Sequence, residues 1–137
     1  MGGDWYDVVT DPAGRTCLLI GDVVGHGVHA AGVMGQMRAA LHALATSSSD
    51  PDRVVDGLDR FASALPGLEM ATLAMAVLAP DRPEVVVARV GHPPPVVVRP
   101  DGRAELLWAA ASPPVGVGEA ARETATYPFL PGDTLVL

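Results

Sequence analysis

Two aspartates near the start of the sequence, Asp4 and Asp22, are the residues whose type and spacing point to chemistry. Two apolar runs, residues 5–10 and 16–20, lie between them and flank the segment Asp11-Pro12-Ala13-Gly14. Proline, aspartate and glycine in such a segment favour a reversal of the chain, so the pattern predicts a β-hairpin. In the simplest register, residue i faces residue 26 minus i, and Asp4 lies opposite Asp22 with both side chains on one face.

Facing carboxylates need a positive charge between them. At about 4 Å and an effective dielectric constant near 20, their repulsion is about 4 kcal/mol, whereas a favourable cross-strand pair contributes only about 0.2–1 kcal/mol. The sequence has no lysine, and Arg15 lies at the turn. A hard divalent cation such as Mg²⁺ or Mn²⁺ fits the oxygen ligands best. The alternative is that both aspartates are solvated ends of strands. A one-residue slip of the register would put the two carboxylates on opposite faces of the hairpin.

Several segments together resemble a known family. The segments Gly2–Asp7 and Gly21–Gly27, followed by an Ala- and Met-rich stretch, are similar to the SpoIIE/RsbU-type serine/threonine phosphatases, a bacterial branch of the metal-dependent type 2C (PPM-type) phosphatase superfamily. Further similar segments follow in order along the chain, at residues 71–77, 91–95, 114–117 and 131–135. The resemblance spans essentially the whole chain.

The resemblance implies a site and a reaction. Asp4, Asp22 and the backbone carbonyl of Val23 match the metal ligands of the family, which in the complete domain hold two Mn²⁺ or Mg²⁺ ions. The two aspartates are therefore the expected catalytic residues. The expected reaction is attack of a metal-activated hydroxide on phosphoserine or phosphothreonine, with no covalent nucleophile. The expected substrate is a phosphorylated STAS-type anti-sigma-factor antagonist, in bacterial sigma-factor regulation.

The resemblance also predicts that the domain, residues 1–137, lacks the usual upstream elements and the C-terminal metal-binding segment. We therefore expect weak activity or none from this chain alone. A truncated or catalytically inactive phosphatase-like interaction module is the alternative function.

A dinucleotide-binding domain is a third hypothesis. Residues 25–30 fit the pattern G-x-G-x-x-G/A between a strand and a helix, and Asp50 lies about 20 residues further on. Against this, Asp50 precedes Pro51 in a serine-rich break instead of ending a second parallel strand.

Three other residues are assigned no catalytic role: His26 and His29 lack further zinc ligands at suitable spacing, and His92 is expected to bind nearby backbone in a turn. Asp7 has the opposite parity to Asp4 and is expected to be structural.

Composition limits the class of protein. A chain of 137 residues with 49% hydrophobic content predicts one domain that buries roughly two-thirds of its unfolded surface. The net charge is −7 and the arginines are scattered, which argues against nucleic-acid and membrane partners and favours a protein partner, with a homodimer as an option. No run approaches the roughly 18 apolar residues of a membrane span. The single cysteine, Cys17, fits a cytoplasmic location and a buried position.

The predicted fold is α+β: an α/β sandwich of two mostly antiparallel sheets flanked by helices, incomplete at both ends. Apolar periodicity predicts a helix over residues 28–46 with one buried stripe, formed by Ala30, Met34, Met37, Leu41 and Leu44. Asp50-Pro51 predicts the start of a second helix that ends near residue 65. A row of small residues at spacing four, Ala31, Gly35 and Ala39, is expected to pack on a sheet. The remaining strands are predicted at residues 71–78, 84–90, 96–99, 104–108 and 134–137.

Overall fold

The computed structural model describes residues 3–117 and 122–137, and this part of the chain forms nine strands and two helices. In chain order they are β1 (Trp5–Thr10), β2 (Thr16–Asp22), α1 (Gly27–Ser47), α2 (Pro51–Ala62), β3 (Thr72–Leu78), β4 (Glu84–Val90), β5 (Val96–Val98), β6 (Ala104–Leu106), β7 (Ala111–Ser112), β8 (Thr124–Pro128) and β9 (Thr134–Val136).

The first hairpin has the predicted register. Strands β1 and β2 pair antiparallel from Trp5 opposite Gly21 to Thr10 opposite Thr16. The turn closes with Gly14 at φ +76°, a backbone conformation that glycine adopts without steric cost. The open end of the hairpin therefore carries Asp4 and Asp22.

Two sheets form, as predicted. The larger sheet has the strand order β1-β2-β3-β4-β7, with β8 also paired to β4, and the smaller sheet has the order β6-β5-β9. All pairings between named strands are antiparallel except the two-residue pairing of β4 with β7. The sequence did not predict β7 or β8.

The antiparallel pairing of β2 with β3 contradicts the dinucleotide-binding hypothesis. That fold requires the strand after the first helix to run parallel to the strand before it. Here α1 and α2 lie between two antiparallel neighbours, and the Asp50 side chain accepts a hydrogen bond from the backbone N–H of Asp52 at 3.2 Å as the N-cap of α2. Asp50 is therefore a helix-capping residue.

One face of the larger sheet packs against both helices, and the other faces the smaller sheet. The first interface contains most of the core, including the fully buried Cys17, Met37 and Leu73. The second is smaller and centres on five buried residues: Ala76, Val85, Val87, Val97 and Leu107. Side chains alternate between these two environments along each strand.

The buried stripe of α1 differs in part from the prediction. The buried positions are Ala30, Val33, Met37, Leu41 and Ala45. The row of small residues does not pack on the sheet: Gly35 and Ala39 are exposed, and no atom lies within 4 Å of a Cβ built on Gly35. Successive helical residues are about 100° apart, and Gly35 and Ala39 each lie two positions from the nearest buried residue, so they turn toward solvent. Neither helix is long and apolar enough to cross a membrane, for the residues that the structure describes.

Candidate active site

Asp4 and Asp22 lie opposite each other at the open end of the β1–β2 hairpin. The backbone N–H of Val23 donates to the carbonyl of Gly3 at 3.2 Å, which continues the hairpin register past both aspartates. Both residues are exposed, and within residues 3–117 and 122–137 neither carboxylate takes part in a salt bridge. An arginine between the two carboxylates would neutralise them and leave no need for a cation. No such arginine is found in this part of the chain.

Because Gly3 has no side chain, there is room next to it for the Val23 carbonyl oxygen and a carboxylate oxygen of Asp22. A Cβ built on Gly3 would collide with the carbonyl oxygen of Val23 and would lie 2.7 Å from Asp22 Oδ1. A side chain at position 3 would therefore fill the place where the Val23 carbonyl and the Asp22 carboxylate come together. Carboxylate and carbonyl oxygens are the ligands that Mg²⁺ and Mn²⁺ prefer, so the donor set fits such an ion.

The described residues supply two carboxylates and no larger cluster. They contain no group of three or more His, Cys, Asp or Glu side chains that could hold a metal. The Asp4, Asp22 and Val23 assignment remains a prediction about which atoms bind the ion.

Thr72 and His92 extend the site along the same edge of the sheet. Thr72 begins β3 and pairs with Asp22, and its Oγ1 lies 2.8 Å from Nδ1 of His92. Partial burial and the positive charge of Arg89 lower the pKa of His92, whereas the negative charges of Asp22 and Asp4 raise it. Burial has the largest effect, and the net pKa is below the ordinary value. The prediction that His92 binds nearby backbone was wrong. Its partner is the side chain of Thr72, which lies 20 residues away in sequence.

Arg89 is a buried cation that the sequence analysis missed. It lies in β4, it is 7% exposed, and its guanidinium carbon lies 5.8 Å from the ring centroid of Trp108. Its Nε has no hydrogen-bond partner. An arginine inside the otherwise apolar run Val85–Val90 was the available signal, but nothing local indicated which residues surround it.

The segment from β2 to α1 turns sharply next to the aspartates. Gly25 and Gly27 have φ values of +116° and +81°, which residues with side chains rarely adopt. His26 is the N-cap of α1 but makes no side-chain capping hydrogen bond, and the first turn has no acidic residue. The first N–H groups of α1 are therefore not capped by the His26 side chain.

Asp7 lies on the opposite face of β1, as its parity predicted. Its carboxylate lies 2.8 Å from Nδ1 of His42 and 3.7 Å from the guanidinium of Arg38, both on α1. Burial alone would raise the pKa of Asp7, but the hydrogen bonds from His42 and the Val8 backbone, with the nearby charges of Arg38 and His42, lower it overall. Asp7 connects the hairpin to the helix and takes no part in the Asp4–Asp22 pair.

Comparison with known proteins identifies the family. The family model described as Stage II sporulation protein E (SpoIIE) matches residues 12–137, and the chain therefore belongs to the SpoIIE family. This confirms the resemblance drawn from the sequence motifs.

Solved structures agree with this fold. The RsbU and RsbW domains of a Mycobacterium tuberculosis protein match 98% of the chain with 32% identity and a TM-score of 0.92. The PP2C phosphatase domain of SpoIIE from Bacillus subtilis matches 97% with 21% identity and a TM-score of 0.80. RsbX, solved in complex with magnesium, matches 98% with 14% identity and a TM-score of 0.74. The chain spans 38%, 39% and 64%, respectively, of those three chains.

Proposed function

We propose that this chain forms part of a metal-dependent protein serine/threonine phosphatase whose substrate is a phosphorylated STAS-type anti-sigma-factor antagonist. The observation that carries the proposal is the hairpin register, which sets Asp4 opposite Asp22 beside the Val23 carbonyl, in a chain of the SpoIIE family. Carboxylate and carbonyl oxygens suit a divalent cation, and neither carboxylate has an arginine partner among the described residues.

The roles of the residues follow from this geometry. Asp22 and Asp4 would hold the cation, and the carbonyl of Val23 would complete the donor set that this chain provides. A bound Mg²⁺ or Mn²⁺ supplies a water of lowered pKa and neutralises charge on the phosphoryl group. The lack of side chains at Gly25 and Gly27 would leave room for a phosphoryl group beside the ion. The first turn of α1 has no side-chain capping hydrogen bond, and its backbone N–H groups would favour an anion.

The fully buried Cys17 does not suit a cysteine-dependent phosphatase. Burial, together with the negative charges of Asp11 and Asp7, raises its pKa to about 12. A thiol with such a pKa is a poor nucleophile at neutral pH. Hydrolysis through a metal-activated water needs no such nucleophile.

The proposed ion and partner are supported by the named relatives. RsbX was solved with magnesium, and the Mycobacterium tuberculosis structure contains an RsbW domain beside its RsbU domain. The net charge of −7 and the scattered arginines favour a protein partner over a nucleic acid. A phosphorylated regulatory protein is therefore the substrate class that we propose.

The test is Mn²⁺-dependent release of phosphate from a phosphoserine-bearing STAS protein, using this chain and a version extended by about 60 residues at the C-terminus. We expect the extended protein to be active and Asp22→Asn to abolish that activity. Asp56→Asn, an exposed carboxylate on α2, is the matched control and should leave the rate unchanged. Full activity in Asp22→Asn would refute the proposal.

A catalytically inactive interaction module is the second candidate. The observation that favours it is that the described residues contain no cluster of three or more metal-binding side chains. This candidate predicts that the extended protein binds the STAS partner but does not hydrolyse its phosphoserine, with or without Mn²⁺. Pull-down of the partner together with the phosphate-release assay separates the two.

A further inference from the structure

Arg89 is a buried positive charge whose side chain has no salt bridge and no hydrogen bond within the part of the chain that the structure describes. No salt bridge to Arg89 forms within residues 3–117 and 122–137, and its buried Nε lacks a hydrogen bond. Removing a guanidinium from water without such partners is costly, so a fold rarely keeps one for stability alone. The other arginines with low side-chain exposure, Arg99 and Arg122, each form an ion pair with a carboxylate.

Arg89 lies on the same sheet face as the candidate ion ligands. It pairs with Ala74 in β3, two residues from Thr72, which pairs with Asp22. Residues two apart in a strand share a face, so Asp22, Thr72 and Arg89 line one side of three neighbouring strands near one end. The negative charge of Asp22 raises the pKa of His92 and the positive charge of Arg89 lowers it, as expected when both charges lie near that imidazole.

The segment after β6 holds Arg89 in place. Trp108 lies over the guanidinium, at a distance typical of a cation–π contact, and its ring is otherwise exposed. The backbone N–H of Arg89 donates to the carbonyl of Ala110 at 3.2 Å, and Ala110 has a φ of +61°. A positive φ at alanine costs about 1–2 kcal/mol, so the surrounding structure holds this segment in a strained conformation beside Arg89.

We propose that Arg89 binds the phosphoryl oxygens of the substrate, with Trp108 orienting its guanidinium from the solvent side. This rests on the proposed function, since it names the group that recognises the phosphoester. Arginine matches phosphate geometry with paired N–H donors, and no carboxylate of the described residues forms a salt bridge with the Arg89 guanidinium. One divalent cation would neutralise the charge of Asp4 and Asp22, and Arg89 would leave the site with a net positive charge toward a phosphate dianion.

The experiment measures binding of inorganic phosphate by the extended protein at saturating Mg²⁺, using isothermal titration calorimetry. We expect Arg89→Gln to raise the Kd for phosphate about tenfold or more, as for loss of a charge-assisted hydrogen bond. Arg89→Lys should recover part of the affinity, and Trp108→Ala should have a smaller effect than Arg89→Gln. Arg60→Gln, an exposed arginine on α2, is the matched control and should leave the Kd unchanged.

Two further measurements separate this proposal from the function on which it rests. The Mg²⁺ affinity of Arg89→Gln should stay within about twofold of the wild-type value, whereas Asp22→Asn should lose Mg²⁺ binding. If Asp22→Asn binds Mg²⁺ as tightly as wild type, the metal site is refuted and the role of Arg89 is not. In wild-type protein, phosphate should shift the NMR signal of the Arg89 Nε–H and leave that of Arg60 unchanged, a test that needs no variant to fold. An unchanged Arg89 signal, or an unchanged Kd in folded Arg89→Gln, would overturn the proposal.

Discussion

The aspartates at the two ends of the β1–β2 hairpin have opposite environments. At the turn, Asp11 is buried and accepts hydrogen bonds from the backbone N–H groups of Ala13 at 2.9 Å, Arg15 at 3.0 Å and Ser49 at 3.2 Å. The Arg15 side chain adds an ion pair at 2.7 Å. At the open end, Asp4 and Asp22 are exposed, face each other, and have no ion pair within residues 3–117 and 122–137.

The difference separates a structural carboxylate from one available to a ligand. Burial alone would raise the pKa of Asp11, but the hydrogen bonds from Arg15 and Ser49 and the charge of Arg15 together lower it to about 2. Its oxygens are thus already occupied by the turn and by the α1–α2 connection. The oxygens of Asp4 and Asp22 have no comparable partners among the described residues, so an ion can bind there without breaking existing contacts.

The largest expected effect is on catalysis at the open end. Asp4→Asn in the extended protein should reduce Mn²⁺-dependent phosphopeptide hydrolysis nearly as much as Asp22→Asn, because each removes one carboxylate of the pair. Neither change should lower the thermal unfolding midpoint measured in a chelator, since like-charge repulsion is relieved. A fall in that midpoint for both variants would show that the pair is structural.

The converse change at the turn should affect stability and spare the ion. Asp11→Asn loses the ion pair with Arg15 and weakens the hydrogen bonds from three backbone N–H groups, so the unfolding midpoint should fall by several degrees. Mn²⁺ affinity, measured by calorimetry below the new midpoint, should match that of wild type. A loss of Mn²⁺ binding with an unchanged midpoint would reverse the comparison.

The pH dependence of Asp11 sharpens the same contrast. Its folded pKa of about 2 lies below the ordinary value of 3.8, so its contribution to stability is present above about pH 4 and is lost as the pH falls through about 2. The difference in urea unfolding free energy between wild type and Asp11→Asn should therefore shrink across this interval. A difference that stays constant from neutral pH down to pH 2 would contradict the role given to the Asp11 carboxylate.

The smallest effect is expected at His26. This residue is exposed and makes no side-chain hydrogen bond as the N-cap of α1. His26→Ala should change the unfolding free energy by less than about 0.5 kcal/mol, and it should reduce hydrolysis far less than Asp4→Asn. Urea titration and a phosphopeptide assay on the same preparation check both points; a loss as large as that of Asp4→Asn would make His26 a catalytic residue.

Local sequence signals predicted the hairpin and both helix starts because those features depend on a few adjacent residues. The turn residues 11–14 set the register that brings Asp4 to Asp22, and Asp50-Pro51 carries its own capping signal. The motifs also gave the family.

Long-range packing explains what the sequence could not predict. Strand β8 is short, polar in part and ends at a proline, so its pairing with β4 has no local pattern. The contacts of His92 with Thr72 and of Arg89 with Trp108 join residues from different elements. The row Ala31, Gly35 and Ala39 had regular spacing, but spacing alone does not tell which side of α1 faces the sheet.

The central claim is that Asp4 and Asp22 share one cation, and calorimetric titration of Mn²⁺ into wild type, Asp22→Asn and the Asp56→Asn control tests it most directly. We predict that wild type and Asp56→Asn bind Mn²⁺ with the same affinity and that Asp22→Asn does not bind it measurably. Equal affinity in all three proteins would contradict the claim.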